Sequence, residues 1–81
     1  MNKKDIEEYV MINKLNQEFL FDFVTLRHKL GLSQEEMAQK SNVLRDKITK
    51  IETGRYSPTI TSLFKILGAF GYTLKIEKIK K

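Results

Sequence analysis

No cysteine occurs in the 81 residues, tryptophan is absent too, and proline appears once. Without cysteine the chain can build neither a disulfide scaffold nor a thiolate-based zinc or redox site, in keeping with a reducing compartment. A single histidine, His28, leaves little imidazole for metal chemistry, so no metal and no cofactor are expected. Long apolar runs are missing as well. Stretches such as Phe19 to Phe21 fall far short of the ~20 residues of a membrane span, so no membrane partner is expected and the expected location is the cytoplasm. The length excludes a nucleotide-binding sheet joined to a substrate domain, and leaves room for one domain with a short appendage. An apolar share of 41% beside 31% charged residues fits an ordinary globular domain, not a disordered one.

What is abundant is basic charge, and it is unevenly placed. Residues 1–22 carry Lys3, Lys4 and Lys14 against Asp5, Glu7, Glu8, Glu18 and Asp22, a net of −2. Residues 23–81 carry twelve basic and five acidic side chains, a net of +7. A basic body behind an acidic arm points to a polyanionic partner for the body. Catalysis has little to work with. His28 lacks a nearby cysteine or an evident serine partner, and the carboxylates are scattered over helix starts and surfaces, so an enzyme is not expected.

Of the four glycines, Gly31, Gly54, Gly68 and Gly71, three fall between apolar-periodic segments and punctuate helices. Ile6, Tyr9 and Val10, broadened by Met11, Ile12 and Leu15, predict an amphipathic helix over residues 5–14. So small a core gains from every added apolar face, so this arm is expected to pack on the domain; a partner surface is the alternative. Asn16 can cap a second helix, with Phe19, Phe23, Leu26 and Leu30 on its buried side and Gly31 at its end. Ser33-Gln34-Glu35-Glu36 is a capping box that starts a third, short helix, which Asn42 closes. Val43 to Thr53 turns Val43, Ile48 and Ile51 inward and Arg45, Asp46, Thr49 and Lys50 outward. After Gly54, Ser57-Pro58-Thr59 restarts a last helix carrying Ile60, Leu63, Phe64, Ile66, Leu67 and Phe70. From Gly71 the period changes to two: Tyr72, Leu74 and Ile76 alternate with Thr73, Lys75 and Glu77, which predicts one short strand before a lysine-rich tail.

Two short helices joined by about three residues must cross steeply, and that is helix-turn-helix spacing. Together, Leu26-Arg27, Gly31-Leu32-Ser33-Gln34-Glu35-Glu36-Met37-Ala38, the run Val43, Ile48, Ile51-Glu52, Gly54, and the later Pro58, Leu63, Leu67, Phe70-Gly71 resemble the Cro and phage-repressor (XRE) helix-turn-helix family over residues 19–71. The resemblance implies a mainly α fold: a five-helix lambda-repressor-like DNA-binding domain with an N-terminal extra helix and one C-terminal β-strand. The expected organisation is a helical arm over 1–15, the helix-turn-helix domain over 16–71, and a strand with a basic tail over 72–81 that serves in dimerisation.

By the same resemblance, Arg45, Asp46, Thr49 and Lys50 occupy positions that read bases, while Ser33, Gln34, Thr53 and Arg55 occupy positions that bind phosphate. Lys47, on the flank, is also expected on phosphate. Arg27 and Glu52 match an ion pair between the first and third helices of such repressors. There are departures from the family pattern. Asn42 stands where glycine is common, and Leu44 where a capping Ser or Thr is common. Asp46 is out of place among phosphates; it either accepts from a cytosine amine or pairs with Lys50 one turn on, the reading favoured here.

The implied function is a sequence-specific, double-stranded-DNA-binding transcriptional regulator acting as a homodimeric repressor. One strand cannot satisfy its own backbone, so Tyr72, Leu74 and Ile76 are expected to pair with a second copy as a two-stranded ribbon. The same tail resembles that of antitoxins in the family. The alternative is therefore an antitoxin of a type II pair, with a toxin protein as its partner. An adaptor that uses the fold without DNA is a further rival, and RNA a weaker one.

Overall fold

The computed structural model describes residues 1–79. Among these the regular structure consists of four helices: α1 (Lys3–Lys29), α2 (Gln34–Ser41), α3 (Arg45–Glu52) and α4 (Ile60–Gly68). Five helices and a strand were expected, and both differences have a local cause.

The first is at Asn16. The chain continues as helix straight through it, so the segments expected as two helices form the single 27-residue α1. Ending a helix strands about four N–H and four C=O groups on either side of the break, whereas an asparagine inside a helix costs under about 1 kcal/mol. No glycine or proline stands between Met1 and Leu30 to tip that balance. The start of α1 is capped by Asn2, whose side chain accepts from the Asp5 N–H at 2.9 Å. Arg27 and Lys29 complement the negative end of the helix dipole, and Gly31, at φ +70°, takes the left-handed turn that follows.

The second difference is at the C-terminus. Residues 72–79 carry no regular structure, and no strand is present among the described residues for them to pair with. Tyr72, Leu74 and Ile76 therefore do not line one face of a strand. Leu74 packs against the core, Tyr72 is exposed, and Ile76 is 100% exposed. Lys80 and Lys81 of the expected basic tail lie outside the described residues.

The other boundaries follow local chemistry. Ser33 Oγ accepts from the Glu36 N–H at 3.0 Å and Glu36 Oε1 accepts from the Ser33 N–H at 2.9 Å, closing the capping box of α2. Asn42 ends α2 in the left-handed region at φ +58°, a conformation asparagine tolerates better than most residues. Gly54, at φ +74°, turns the chain out of α3 with its backbone against Leu20, whose Cδ1 would lie 3.5 Å from an added Cβ. Thr59 caps α4 by accepting from the Ser62 N–H at 3.1 Å.

Phe23 of α1, Met37 and Ala38 of α2, Ile48 and Ile51 of α3, and Ile66 and Leu67 of α4 form one buried cluster. Phe19, Leu20, Leu26, Leu32, Val43, Tyr56 and Phe70 surround it, half-buried. The buried Ser41 hydroxyl donates to the Met37 carbonyl at 2.6 Å, so it brings no unpaired polar group into the core. Only the second half of α1 takes part. Everything up to Glu18 is exposed, including Ile6, Tyr9, Val10, Met11, Ile12 and Leu15, so the arm does not pack on the domain as expected. At 1.5 Å per residue α1 is about 40 Å long, and it accounts for most of the 44 Å long axis of a molecule only 24 × 21 Å across. Although long, α1 is not apolar enough to cross a membrane.

Candidate nucleic-acid interface

Only Asn42, Val43 and Leu44 separate α2 from α3. The Val43 N–H donates to the Ala38 carbonyl at 3.0 Å, folding this connection back on α2, while Ile48 and Ile51 bury the inner face of α3. The steps of about 100° per residue in an α-helix then leave Arg45, Asp46 and Lys50 exposed on the outside, with Thr49 and Lys47 at the half-buried edges. The outer face of α3 is thus basic, with one carboxylate in it.

That carboxylate is occupied. Asp46 Oδ2 lies 2.9 Å from Lys50 Nζ, one turn on, and both side chains are open to water. An exposed i,i+4 pair is worth about 0.3–0.5 kcal/mol, little enough for Lys50 to exchange it for another anion. Lys47 leans the other way, its Nζ donating to Ser62 Oγ of α4 at 3.3 Å. Arg45 is exposed at the first position of the helix.

The seat of α3 is polar and shielded. Arg27 grips Glu52 with both arms of its guanidinium: Nε donates to Oε2 at 2.6 Å and Nη2 to Oε1 at 3.0 Å. Nη1 donates to the Leu32 carbonyl at 3.0 Å, so the same side chain also holds the turn between α1 and α2. The two side chains are only 12% and 6% exposed. The hydrogen bond to Glu52 holds Arg27 above its ordinary pKa, despite burial acting the other way. Burial pushes the Glu52 carboxyl up, but the bonds it accepts from Arg27 and Gln34, with the Arg27 charge, outweigh that and leave it below its usual range.

Gln34 extends this cluster to the surface. Its Nε2 donates to Glu52 Oε1 at 2.9 Å and its Oε1 accepts from Thr49 Oγ1 at 3.1 Å. Gln34 and Thr49, assigned separately to phosphate and to bases, are therefore joined to each other and to the ion pair. Sequence reasoning missed this link, because the partners stand 15 and 18 positions apart and only the crossing of α2 over α3 brings them together.

The remaining expected contacts differ in what they can offer. Ser33 is engaged in its cap, and the Glu36 carboxyl is held low by the backbone and hydroxyl bonds of Ser33. The Thr53 hydroxyl donates to the Thr49 carbonyl at 3.0 Å, and the N–H groups of Thr53, Gly54 and Arg55 close the end of α3 on the Thr49, Ile51 and Lys50 carbonyls. The backbone of that loop is thus used internally, and the exposed Arg55 side chain is the group it presents outward. His28 is exposed, its Nε2 3.4 Å from Arg27 Nη2.

Comparison with known proteins agrees with this geometry. The profile of a helix-turn-helix family matches residues 25–76. An uncharacterized HTH-type transcriptional regulator of Haemophilus influenzae is 31% identical over 74 residues, spanning 91% of this chain and 76% of its own. A second, from Methanocaldococcus jannaschii, is 46% identical over 49 residues, covering 60% of this chain and 71% of its own. Among solved structures, a toxin–antitoxin module from Streptococcus pneumoniae superimposes with a TM-score of 0.70 at 24% identity, over 99% of this chain and 94% of that one, a likeness of fold.

Proposed function

The chain belongs to the helix-turn-helix family of transcriptional regulators, and from that premise we propose that it binds double-stranded DNA in a sequence-dependent way as a homodimeric repressor. The observation that supports this reading most is the outer face of α3. It presents Arg45 and Lys50 beside Thr49 on a helix whose seat is fixed by the Arg27–Glu52 pair. A helix carried this way can lie in the major groove with Arg45, Asp46, Thr49 and Lys50 at base edges. Ser33, Gln34, Lys47, Thr53 and Arg55 then flank it as candidates for phosphate. Two copies would read half-sites about 34–36 Å apart.

Selection of bound sites from random duplex DNA, followed by titration at several salt concentrations, tests the proposal. A recovered consensus whose affinity falls linearly in log–log salt plots is the expected result, since phosphate contacts release counterions. Binding that ignores sequence, or no binding at all, would count against it.

A second reading, an antitoxin that also controls its own operon, draws support from the arm. Ile6, Tyr9, Val10 and Ile12 are exposed next to Asp5, Glu7 and Glu8, an apolar and acidic surface of little use toward DNA. The Streptococcus pneumoniae neighbour shares the fold. A small basic protein encoded beside this chain and retained by it through the arm would favour this reading.

A further inference from the structure

Leu44, the residue immediately before α3, is explained by neither packing nor capping. It stands at the N-cap, with φ −76° and ψ 144°, where a Ser, Thr, Asp or Asn side chain would accept from the first turn, and it makes no such bond. The site is not buried in compensation: the leucine is 79% exposed. It lines one open cleft with Asp46, Lys47 and Lys50 of α3, Tyr56, and Lys65 of α4, so this exposed apolar residue stands beside part of the proposed DNA-facing surface. The N-terminal end of a recognition helix is the part that reaches base edges most deeply.

Arg45, Asp46, Thr49 and Lys50 all offer hydrogen bonds or charge. The major-groove edge of a thymine carries, beside its O4 acceptor, a C5-methyl group that no hydrogen bond can read. We propose that Leu44 is a specificity-determining residue that reads the C5-methyl of one thymine in each half-site, an inference that rests on the DNA-binding reading above. In the free protein the leucine lies in water. In the complex it and the methyl shield one another, so the apolar surface left exposed at the helix start is covered only on the correct base. Cytosine, which lacks the methyl at that position, and adenine and guanine, which present polar edges, give no such cover.

The experiment uses deoxyuridine, which differs from thymidine only by that methyl. The full chain is used to select a duplex site, each thymine of the site is replaced in turn by deoxyuridine, and dissociation constants are measured for the wild type and for Leu44→Ser. Serine supplies the missing cap, so the variant's fold is not put at risk. Burying a methyl-sized apolar group is worth a factor of about four in affinity. The expected result is a thymine in each half-site where deoxyuridine weakens wild-type binding about fourfold and leaves Leu44→Ser unchanged. A site at which every thymine is replaced without loss, or at which the loss persists in Leu44→Ser, overturns the assignment while leaving DNA binding intact. Failure to enrich any duplex overturns the DNA-binding reading, and this inference with it.

Discussion

Thr49 and Gln34 are hydrogen bonded across the α2–α3 crossing, and the far end of the Gln34 amide rests on Glu52. One side chain therefore links the candidate reading surface to the ion pair behind it. An amide held at both ends has a fixed orientation, so whatever Gln34 and Thr49 meet is met in a geometry set by Arg27 and Glu52. This arrangement leads to the first prediction.

Glu52→Ala leaves the shielded Arg27 guanidinium without its partner and the Gln34 amide without its anchor. Removing one member of a buried pair costs about 3–5 kcal/mol. Thermal or urea unfolding should show that loss for Glu52→Ala, against a change within about 0.5 kcal/mol for the exposed control Glu77→Ala. Equal losses for the two would mean that the pair is open in solution.

The acid limb of stability should carry the same signature. The Glu52 carboxyl is held below its usual range in the fold. A depressed carboxylate contributes stability that is complete above the unfolded-state value, near pH 4.3, and is lost as the pH falls through the folded value. The gap in unfolding free energy between wild type and Glu52→Gln should therefore be widest near neutral pH and narrow steadily below about pH 4.3. A gap independent of pH down to the acid transition would contradict the assignment.

Which of these features could be read from the residues alone depends on the range of the interaction. The capping box at Ser33 and Glu36, the left-handed Asn42 and the buried Ile48 and Ile51 rest on neighbours within a turn or two, and local chemistry settles them. The Arg27–Glu52 pair spans 25 positions, so only the family resemblance suggested it. The bridge through Gln34 and Thr49 had no signal at all, since it depends on the angle at which α2 crosses α3. At Asn16 the residue type permits a cap, but nothing there stops a helix already running. At Tyr72 to Ile76 the period of two was real, but a strand also needs a partner, and alternation cannot supply one.

Deleting residues 1–14 should leave the stability of the domain almost unchanged, because the whole segment is exposed and contributes nothing to the buried cluster. A shift in unfolding free energy within about 0.5 kcal/mol is expected, the usual range for changes away from packed features. A substantially larger loss would show that the arm packs on the domain in solution.

The C-terminal segment should behave in the opposite way at one position only. Leu74 packs against the core near Tyr56 and Pro58, whereas Ile76 is fully in water. Leu74→Ala should cost about 1–2 kcal/mol, less than the 2–5 of a fully buried leucine because this one is half-buried, and Ile76→Ala should cost nothing measurable. If the two losses were alike, the residues would share a surface, and the tail would lie differently from the path described above.

The last prediction separates reading from holding on the outer face of α3. Arg45 is exposed at the first position of the helix, the place from which a guanidinium can reach two acceptors of a guanine at once. Lys47 sits at the edge with its ammonium on Ser62, beside the helix and not at its tip, a position suited to a phosphate that runs past the groove. A bidentate base contact discriminates, and losing it costs about 1–3 kcal/mol on the preferred site alone; a phosphate contact holds every sequence equally. Arg45→Ala should therefore flatten the preference at one base pair of each half-site while leaving the affinity for unrelated duplex within a few-fold. Lys47→Met should weaken all duplexes alike and reduce the slope of log affinity against log salt by about one per half-site. Binding of each variant to the selected duplex and to a scrambled one, at several salt concentrations, measures both quantities. An unaltered base preference in Arg45→Ala would mean that α3 approaches DNA with a different face, and Arg45 would then rank with Lys47 among the groups that merely hold the backbone.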